Sequence, residues 1–256
     1  MKKRGFWDRS RGAVRLAGLG VILAWSAIRY LALGARRREL AVKAEWLSLT
    51  CRHLLAGLGV RLVSDGVRAR GAVIVANHVS YLDIMVISAL TPVVFVAKRE
   101  VRGWPVFGWF AAKAGTRFID REKRGDVARI GDELAPIMAA GASVVLFLEG
   151  TTSDGREVLP FRSSLLAPAV KEAWLLAPAG ITYAVPEGRS VEQEVCWWGE
   201  MTLLPHLKNI ATLSWIEARV GWGDVRKAGG DRKLLAEELR VAVVRLRAPK
   251  EGGLTG

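Results

Sequence analysis

The apolar positions at the start of the chain follow helical spacing and predict two helices. The first apolar run extends from Leu16 to Ile28, is interrupted by Arg29 and resumes from Tyr30 to Leu33. Its 13 uninterrupted residues fall short of the roughly 18 to 20 that span a bilayer, although an arginine can extend its side chain to the interface. We expect this helix to dip into one leaflet or lie at the membrane surface, with a single crossing as the alternative. A second helical pattern, from Val42 to Leu58, can pack on the first as a hairpin.

From residue 60 onward, apolar runs alternate with helical patterns, which predicts an α/β fold with a mixed central sheet covered by helices. The apolar runs predict seven strands: Val60–Ser64, Val73–Ala76, Val93–Ala97, Thr116–Ile119, Ser143–Phe147, Ala177–Tyr183 and Leu213–Val220. The helical patterns predict six helices: Leu82–Leu90, Pro105–Ala114, Val127–Ala140, Leu165–Trp174, Leu203–Ile210 and Arg232–Leu246. The chain therefore divides into apolar helices over residues 1–59, which we expect to associate with a membrane, and one α/β domain over residues 60–256.

The charge distribution points to a membrane surface. Hydrophobic residues make up 51% of the chain, which is ample for a folded core, and the formal net charge is +13. Residues 1–38 contain ten Lys or Arg and one acid, a net charge of +9, whereas the remaining 28 bases and 24 acids give only +4. The bases flank an apolar segment, whereas a nucleic-acid binder carries them on a folded face. We therefore expect anionic membrane lipids as a partner and no nucleic acid.

The cysteines and two of the three histidines indicate no catalytic or metal site. Cys51 and Cys196 are the only cysteines and lie far apart, so neither a zinc site nor a disulfide framework is indicated, and a reducing compartment fits. His53 falls on the polar face of the second helix, and His206 follows Pro205 without an evident partner. Both are interpreted as structural histidines. Nothing in the sequence calls for a metal or a redox cofactor.

The strongest candidate for chemistry follows the second predicted strand. His78 lies where that strand ends, and Asp83 lies five residues later in the first turn of a predicted helix. A turn through Val79 and Ser80 can fold the imidazole onto the carboxylate, which would orient a general base suited to a hydroxyl proton. The alternative is structural, because Ser80 and Asp83 also have the spacing of a helix capping box.

Four blocks resemble the glycerolipid acyltransferase family, to which the bacterial lysophosphatidate acyltransferases belong. They are N-H-V-S-Y-L-D at 77–83; K-x-E-x-x-x-x-P-x-x-G at 98–108 with G-x-x-F-I-D-R at 115–121; L-E-G-T-T-S-D-G at 148–155; and L-A-P-A-G-I-T-Y at 176–183. The third block departs from the family's usual F-P-E-G-T-R-S, with Leu148 in place of proline and Thr152 in place of arginine. The resemblance implies an acyltransferase domain with a glycerol-3-phosphate acyltransferase-like fold.

The resemblance also assigns roles to residues whose types alone leave them open. By composition Arg121 is a surface arginine. Residues 151–153 form either an anion-binding pocket or part of an Asp-Gly turn. Trp104 and its aromatic neighbours belong either to a hydrophobic core or to a surface that contacts an acyl chain or the bilayer interface. The family pattern makes His78 and Asp83 catalytic. It implies that the acceptor head group is bound by Glu149, Gly150 and Thr151 together with Arg121. With Thr152 in place of the usual arginine, Lys98 and Arg162 remain as further cations to bind a negative head group.

The implied reaction is transfer of a fatty acyl group from an acyl-carrier protein or coenzyme A thioester to a lysolipid hydroxyl. We expect 1-acyl-sn-glycerol-3-phosphate as the acceptor, giving phosphatidic acid, at the inner (cytoplasmic) membrane with the catalytic domain facing the cytoplasm. A lyso-ornithine lipid is the alternative acceptor, because the E-G-T-T-S-D-G form resembles that branch of the family. A non-catalytic basic protein that binds membranes or nucleic acid is the remaining alternative.

Overall fold

Two antiparallel helices form the N-terminal part of the structure, a computed structural model that describes residues 5–120 and 124–248. Helix α1 (Phe6–Ala32) leads through a 3-10 turn (Gly34–Arg38) into helix α2 (Leu40–Leu58). The indole nitrogen of Trp46 donates to the Ser26 carbonyl at 2.9 Å, and the Tyr30 and Trp46 ring centroids lie 4.8 Å apart. The predicted hairpin is therefore confirmed. In the described part of the chain, α1 alone is long and apolar enough to cross a membrane.

An eight-stranded mixed sheet forms the centre of the catalytic region, as predicted. Its strands are β1 (Val60–Asp65), β2 (Val73–Ala76), β3 (Val93–Lys98), β4 (Arg117–Ile119), β5 (Ser143–Leu146), β6 (Leu175–Ala184), β7 (Ile216–Trp222) and β8 (Arg226–Lys227). The order is β1-β7-β6-β2-β5-β3-β4, with β8 beside β6. Strand β6 pairs in parallel with β2 but antiparallel with β7 and β8. The central strand β2 therefore ends between the loops that follow β5 and β6.

Helices cover both faces of this sheet. They are α3 (Leu82–Leu90), α4 (Phe107–Lys113), α5 (Arg124–Ala139), α6 (Ala167–Lys171), α7 (Val191–Glu194), α8 (Leu203–Ala211) and α9 (Arg232–Arg247), with 3-10 turns at Arg99–Gly103 and Ser163–Leu166. The predicted helix at 165–174 is thus a 3-10 turn followed by five α-helical residues, because it ends before Ala173, which has a positive φ of 50°. Neither α7 nor β8 was predicted, since both are too short to show a period.

Side-chain alternation along the strands divides the hydrophobic core into two layers. Val73 and Val75 point into the layer shared with α5, α6 and α9, whereas Ile74 and Ala76 point into the layer shared with α1, α2 and α3. All four are fully buried, as expected for a strand covered on both faces. Complete burial of a side chain such as Ile74 contributes about 1.5 to 3 kcal/mol. The position at which β2 ends is therefore fixed by packing on both faces.

Candidate active site

The predicted pair of His78 and Asp83 is formed. The His78 Nδ1 atom lies 2.8 Å from Asp83 Oδ2, and the Asp83 side chain is completely buried while 16% of the His78 side chain remains exposed. An ionised aspartate can only accept hydrogen bonds, so Nδ1 of a neutral ring donates to it and Nε2 is left as the acceptor. The ring lies parallel to Phe147, with the centroids 4.0 Å apart. This arrangement is that of an oriented general base.

Half of the capping box predicted for this turn is formed, because the Asp83 carboxylate reaches back to the Ser80 N–H. The other half is not, since the Asp83 N–H donates to the Ser80 carbonyl at 3.1 Å and α3 begins without a side-chain cap. The Asp83 Oδ2 atom accepts from the N–H groups of Val79 at 2.7 Å and Ser80 at 2.9 Å, in addition to the His78 ring. Its Oδ1 atom accepts from the Tyr183 hydroxyl at 2.6 Å. The turn before α3 therefore holds the carboxylate in place while the carboxylate holds the imidazole.

The main chain of His78 is held by the loop that follows β5. The His78 N–H donates to Glu149 Oε1 at 2.6 Å, and its carbonyl accepts from the Ser153 N–H at 3.2 Å. The other oxygen of Glu149 accepts from the Leu159 N–H at 2.9 Å. Glu149 is buried, and this burial raises the pKa of its carboxyl to about 7 against the opposing effect of the two backbone donors. Glu149 thus supports the backbone at His78.

The neighbouring Asn77 fixes β6 against the end of β2. Its side-chain amide donates to the Ile181 carbonyl at 3.0 Å and accepts from the Ile181 N–H at 2.7 Å. Asn77 is 1% exposed, so this two-way bond is shielded from water. It continues the pairing of β2 with β6 one residue beyond the strand, which places the following residues of β6 beside Asp83.

A cavity of about 330 Å³ opens at the exposed side of the His78 ring. Among the predicted substrate-binding residues, Lys98, Gly150 and Thr151 line it together with His78, as does Thr152 where the family has an arginine. Lys98 is exposed at its edge. The remaining wall is largely aromatic and apolar: Tyr81, Ile84, Phe95, Val96, Ala97, Val101, Trp104, Phe147, Trp197, Trp198 and Gly199. The cavity can therefore receive a molecule with a small polar group and a larger apolar part.

Two of the predicted substrate-binding residues do not line the cavity. Glu149 is buried beside the cavity instead of lining it, because both of its carboxylate oxygens are used by main-chain donors. The exposed Arg162 side chain is also not part of the cavity lining, since its main chain pairs with Leu148 at 2.9 Å and leads away along the loop. Arg121 lies outside the described residues.

The predicted aromatic loop serves two purposes. Trp104 and Phe107 line an apolar groove of about 880 Å³ between α1, α2 and α8, and this groove meets the catalytic cavity at Tyr81, Trp104 and Trp197. Phe110 instead stacks on Trp46 at 5.3 Å and packs against the core. Trp109 contacts Tyr30 and Trp46 through its ring but stays 38% exposed. The core interpretation therefore applies to Phe110, whereas Trp104 and Phe107 line the groove.

Gly108 is required where this loop folds back. A Cβ atom on Gly108 would lie 2.3 Å from the Arg102 carbonyl oxygen, a distance that no side chain can occupy. The glycine of the second sequence block therefore permits the close approach that brings Trp104 to the cavity.

The other histidine near the site has a structural role, as predicted. His206 is buried, its Nδ1 lies 3.1 Å from the Tyr81 hydroxyl, and its Nε2 lies 3.0 Å from the Cys196 carbonyl. Burial lowers the pKa of this ring, which keeps it neutral. His53 is exposed on α2, and both cysteines are free and buried. In the described ranges, no group of three or more His, Cys, Asp or Glu side chains is placed to hold a metal ion.

Comparisons with known proteins place the chain among lipid acyltransferases. The family model described as Acyltransferase matches residues 60–182. The chain is similar to the lyso-ornithine lipid O-acyltransferase of Brucella abortus (strain 2308), with 39% identity over 215 residues, 79% of each protein. It is also similar to the 1-acyl-sn-glycerol-3-phosphate acyltransferase of Neisseria gonorrhoeae, with 35% identity over 136 residues, 50% of this chain and 53% of that protein. The crystal structure of the 1-acyl-sn-glycerophosphate (LPA) acyltransferase, PlsC, from Thermotoga maritima has the same fold, with a TM-score of 0.66 at 20% identity over 93% of this chain and 95% of that one.

Proposed function

This chain belongs to the acyltransferase family and acts on lysolipids, and on that premise we propose that it transfers a fatty acyl group to the free hydroxyl of a lyso-ornithine lipid. The His78–Asp83 pair beside an apolar cavity is the observation that supports this reaction most directly. Family membership makes the chain an enzyme, so the non-catalytic alternative is set aside.

The proposed chemistry needs one base and no enzyme nucleophile. His78 removes the proton of the acceptor hydroxyl as its oxygen attacks the thioester carbonyl, and Asp83 stabilises the charged ring that forms. When the tetrahedral intermediate collapses, the C–S bond breaks and the proton passes from His78 to the departing thiolate. The products are an ester and a free thiol. No residue has to form a covalent bond, in agreement with the chain's lack of a G-x-S-x-G motif.

The acceptor assignment is supported by the similarity and by Thr152. The similarity to the Brucella protein covers more of the chain, at higher identity, than the similarity to the Neisseria protein. Thr152 lines the cavity where the family pattern has an arginine, which removes a cation suited to a phosphate monoester. The order of acceptors expected from the sequence is therefore reversed, and 1-acyl-sn-glycerol-3-phosphate becomes the second candidate.

We propose an acyl-carrier protein or coenzyme A thioester as the donor, and the apolar groove as the place for one acyl chain. Both donors are acidic, and the exposed Lys98 at the cavity edge offers a complementary charge. The groove meets the cavity at Tyr81, Trp104 and Trp197, so a chain lying in it would reach the reacting atoms at the His78 ring.

For membrane attachment, we propose a helix lying in one leaflet of the inner (cytoplasmic) membrane, with the catalytic region facing the cytoplasm. The two sides of α1 differ: Leu19, Ser26 and Tyr30 are buried against the protein, whereas the opposite side is exposed and apolar. Arg11 also binds the Thr212 carbonyl at 2.8 Å, which ties the N-terminal part of α1 to the catalytic region. The exposed apolar side chains are Phe6, Trp7, Val14, Val21, Trp25, Ile28 and Leu31.

The acceptor is tested by direct competition. Purified protein in detergent receives a labelled acyl donor with equal amounts of lyso-ornithine lipid and 1-acyl-sn-glycerol-3-phosphate, and the labelled products are separated. We expect the ornithine lipid to carry most of the label, and His78→Ala to label neither product. Preferential labelling of phosphatidic acid would reverse the assignment.

A substitution in the cavity sharpens this test. Thr152→Arg restores the family's cation, so we expect the ratio of phosphate acceptor to ornithine acceptor to rise by about tenfold, since a charge-assisted hydrogen bond contributes about 1.5 to 3 kcal/mol. Thr152→Ser, which adds no charge, is the matched control and should leave the ratio unchanged. An unchanged ratio in Thr152→Arg would remove Thr152 from the explanation of specificity.

A further inference from the structure

The buried Asp83 carboxylate has a partner on a distant strand that the proposed reaction does not yet use. Its Oδ2 atom is shared by the His78 ring and two backbone N–H groups, whereas Oδ1 accepts from the Tyr183 hydroxyl at 2.6 Å. Asp83 is completely buried. A charged oxygen without a donor in such a place is costly, so the phenol stabilises the ionised carboxylate.

The direction of this bond is fixed by the surroundings. Burial, followed by the charge of Asp83, raises the pKa of the Tyr183 hydroxyl well above its usual range. The phenol therefore keeps its proton and acts as the donor over the range in which enzymes work. Asp83 is in turn the group that orients His78, so the three side chains form a continuous series from β6 to the cavity.

We infer that Tyr183 is a positioning residue for acyl transfer, which acts through Asp83 to set the orientation and the proton affinity of His78. The inference rests on the proposed function, because it takes His78 as the base. Tyr183 does not line the catalytic cavity, and its effect on the reaction passes through the carboxylate. Loss of its hydroxyl should therefore change the rate and the pH dependence, but not the binding of lipid.

The fold supplies Tyr183 by a specific strand arrangement. Strand β6 pairs in parallel with β2 up to Ala179. From Ala179 onward it pairs antiparallel with β7, and in that part Tyr183 lies opposite Ala218. The two-way bond between Asn77 and Ile181 holds β6 two residues before Tyr183. Successive side chains on a strand alternate, so Ile181 and Tyr183 share a face. The side chain of Asn77 therefore helps to set the position of the phenol relative to Asp83.

Several other titratable groups act on these two side chains. Glu149, on the loop after β5, and Cys196, after α7, interact electrostatically with Asp83, and Tyr81 interacts with Tyr183. Burial raises the pKa of Cys196 and of Tyr81, to about 12 for Cys196, so both stay neutral near pH 7. Glu149, with a pKa of about 7, is a second group that could shape the pH profile. Its effect is removed by repeating the pH profiles in a Glu149→Gln background.

The first test is Tyr183→Phe, which removes one oxygen atom and keeps the ring. We expect kcat to fall by about tenfold with an unchanged KM for the acceptor, because a hydrogen bond to a charged group is lost. Without its donor on Oδ1, Asp83 attracts the His78 proton more strongly. The acidic limb of the pH profile of kcat/KM should then move to higher pH by roughly half a unit. Tyr30→Phe, the same change in a buried tyrosine of α1, is the matched control and should alter neither quantity.

Two further variants separate positioning from simple stability. In an Asp83→Asn background, Tyr183→Phe should cost little additional activity, because its route to His78 is already broken. Replacement of Tyr183 by 3-fluorotyrosine strengthens the donor without loss of volume and should move the acidic limb downward, opposite to phenylalanine. This second measurement decides the question even if Tyr183→Phe does not fold.

The outcomes distinguish this inference from the proposed function. An active His78→Ala enzyme would remove the base, and with it both proposals. An inactive His78→Ala enzyme with a folded Tyr183→Phe variant that keeps the wild-type kcat and pH profile would overturn only the role of Tyr183. Fully additive losses in the Asp83→Asn background, or a fluorotyrosine enzyme with an unmoved acidic limb, would have the same consequence.

Discussion

The catalytic edge of the sheet and the N-terminal hairpin are held in place by different forces. At the catalytic edge, two buried carboxylates organise the backbone: Asp83 binds the turn before α3, and Glu149 joins His78 to Leu159. The hairpin depends on apolar packing, with Tyr30, Trp46 and their aromatic neighbours at its centre. A hydrogen bond fixes the relative position of two particular atoms, whereas the stabilisation from apolar packing depends on the total area that is buried. A change of one side chain at the catalytic edge should therefore abolish activity, whereas loss of membrane binding by the hairpin should require changes at several positions of one face.

The largest expected effect is the loss of activity in His78→Ala. General-base catalysis contributes about 10²- to 10⁴-fold, so we expect a fall of that size in the labelled-product assay. Sedimentation with anionic vesicles should be unchanged, since α1 is intact. His53→Ala, on the exposed side of α2, is the control and should keep full activity. A fully active His78→Ala enzyme would show that the ring is not the base.

A second substitution addresses the hairpin without touching the catalytic edge. Trp25→Glu combined with Ile28→Glu places two charges on the exposed face of α1, and each buried apolar side chain contributes about 1.5 to 3 kcal/mol. Vesicle binding should weaken by about a hundredfold or more, while activity on detergent-solubilised lipid persists.

The control for that experiment adds the same charge elsewhere. Val241→Glu with Val244→Glu alters exposed positions of α9 and should leave vesicle binding nearly unchanged. These substitutions are preferable to a deletion of residues 1–38, because Leu19 and Tyr30 belong to the core and their loss would uncover it. Equal binding of the α1 variant and the wild type would place the attachment surface on another part of the chain.

The smallest expected effect concerns the second carboxylate at the catalytic edge. The Glu149 carboxyl has a pKa of about 7 in the fold against an ordinary value of 4.5, because it is buried. Between these values the native state binds more protons than the unfolded state, so the free energy of unfolding falls as pH rises. The Glu149 carboxyl should lower the free energy of unfolding by about 2 kcal/mol between pH 5 and 7.

Thermal unfolding measured across that range tests the assignment. Glu149→Gln lacks the titrating group, so its stability should vary less with pH than that of the wild type, and by about the stated amount. Glu157→Gln, an exposed control on the same loop, should retain the wild-type slope. If Glu149→Gln also retains that slope, the Glu149 carboxyl does not titrate in this range and does not account for the pH dependence of stability.

The features that the sequence could predict are local ones. The strands and most helices follow from apolar runs and helical periods, and the pairing of His78 with Asp83 follows from a turn of five residues. The capping interpretation and the catalytic interpretation of Asp83 do not exclude each other, because the carboxylate oxygen that accepts from the Val79 and Ser80 N–H groups also accepts from the His78 ring.

The features that could not be predicted depend on strand order. Glu149 reaches His78 across 71 positions, and Tyr183 reaches Asp83 across 100. Both contacts arise because β2 lies between β5 and β6, an arrangement that one sequence does not reveal. Glu149 was therefore expected at the substrate and Tyr183 was not recognised. An acidic residue directly after a buried strand, with no basic neighbour, was the available signal for Glu149.

The binding of α1 to the far end of the chain has a consequence for synthesis at the ribosome. The Thr212 carbonyl to which Arg11 binds is made 201 residues after Arg11. During that interval α2 can already pack on α1, as Trp46 does on Ser26, but the part of α1 at Gly12, which lies against Thr212 in the fold, has no partner. The exposed apolar side of α1 also stays uncovered by protein, and lipid can shelter it. We therefore expect the nascent chain to reach the bilayer before its catalytic region has folded.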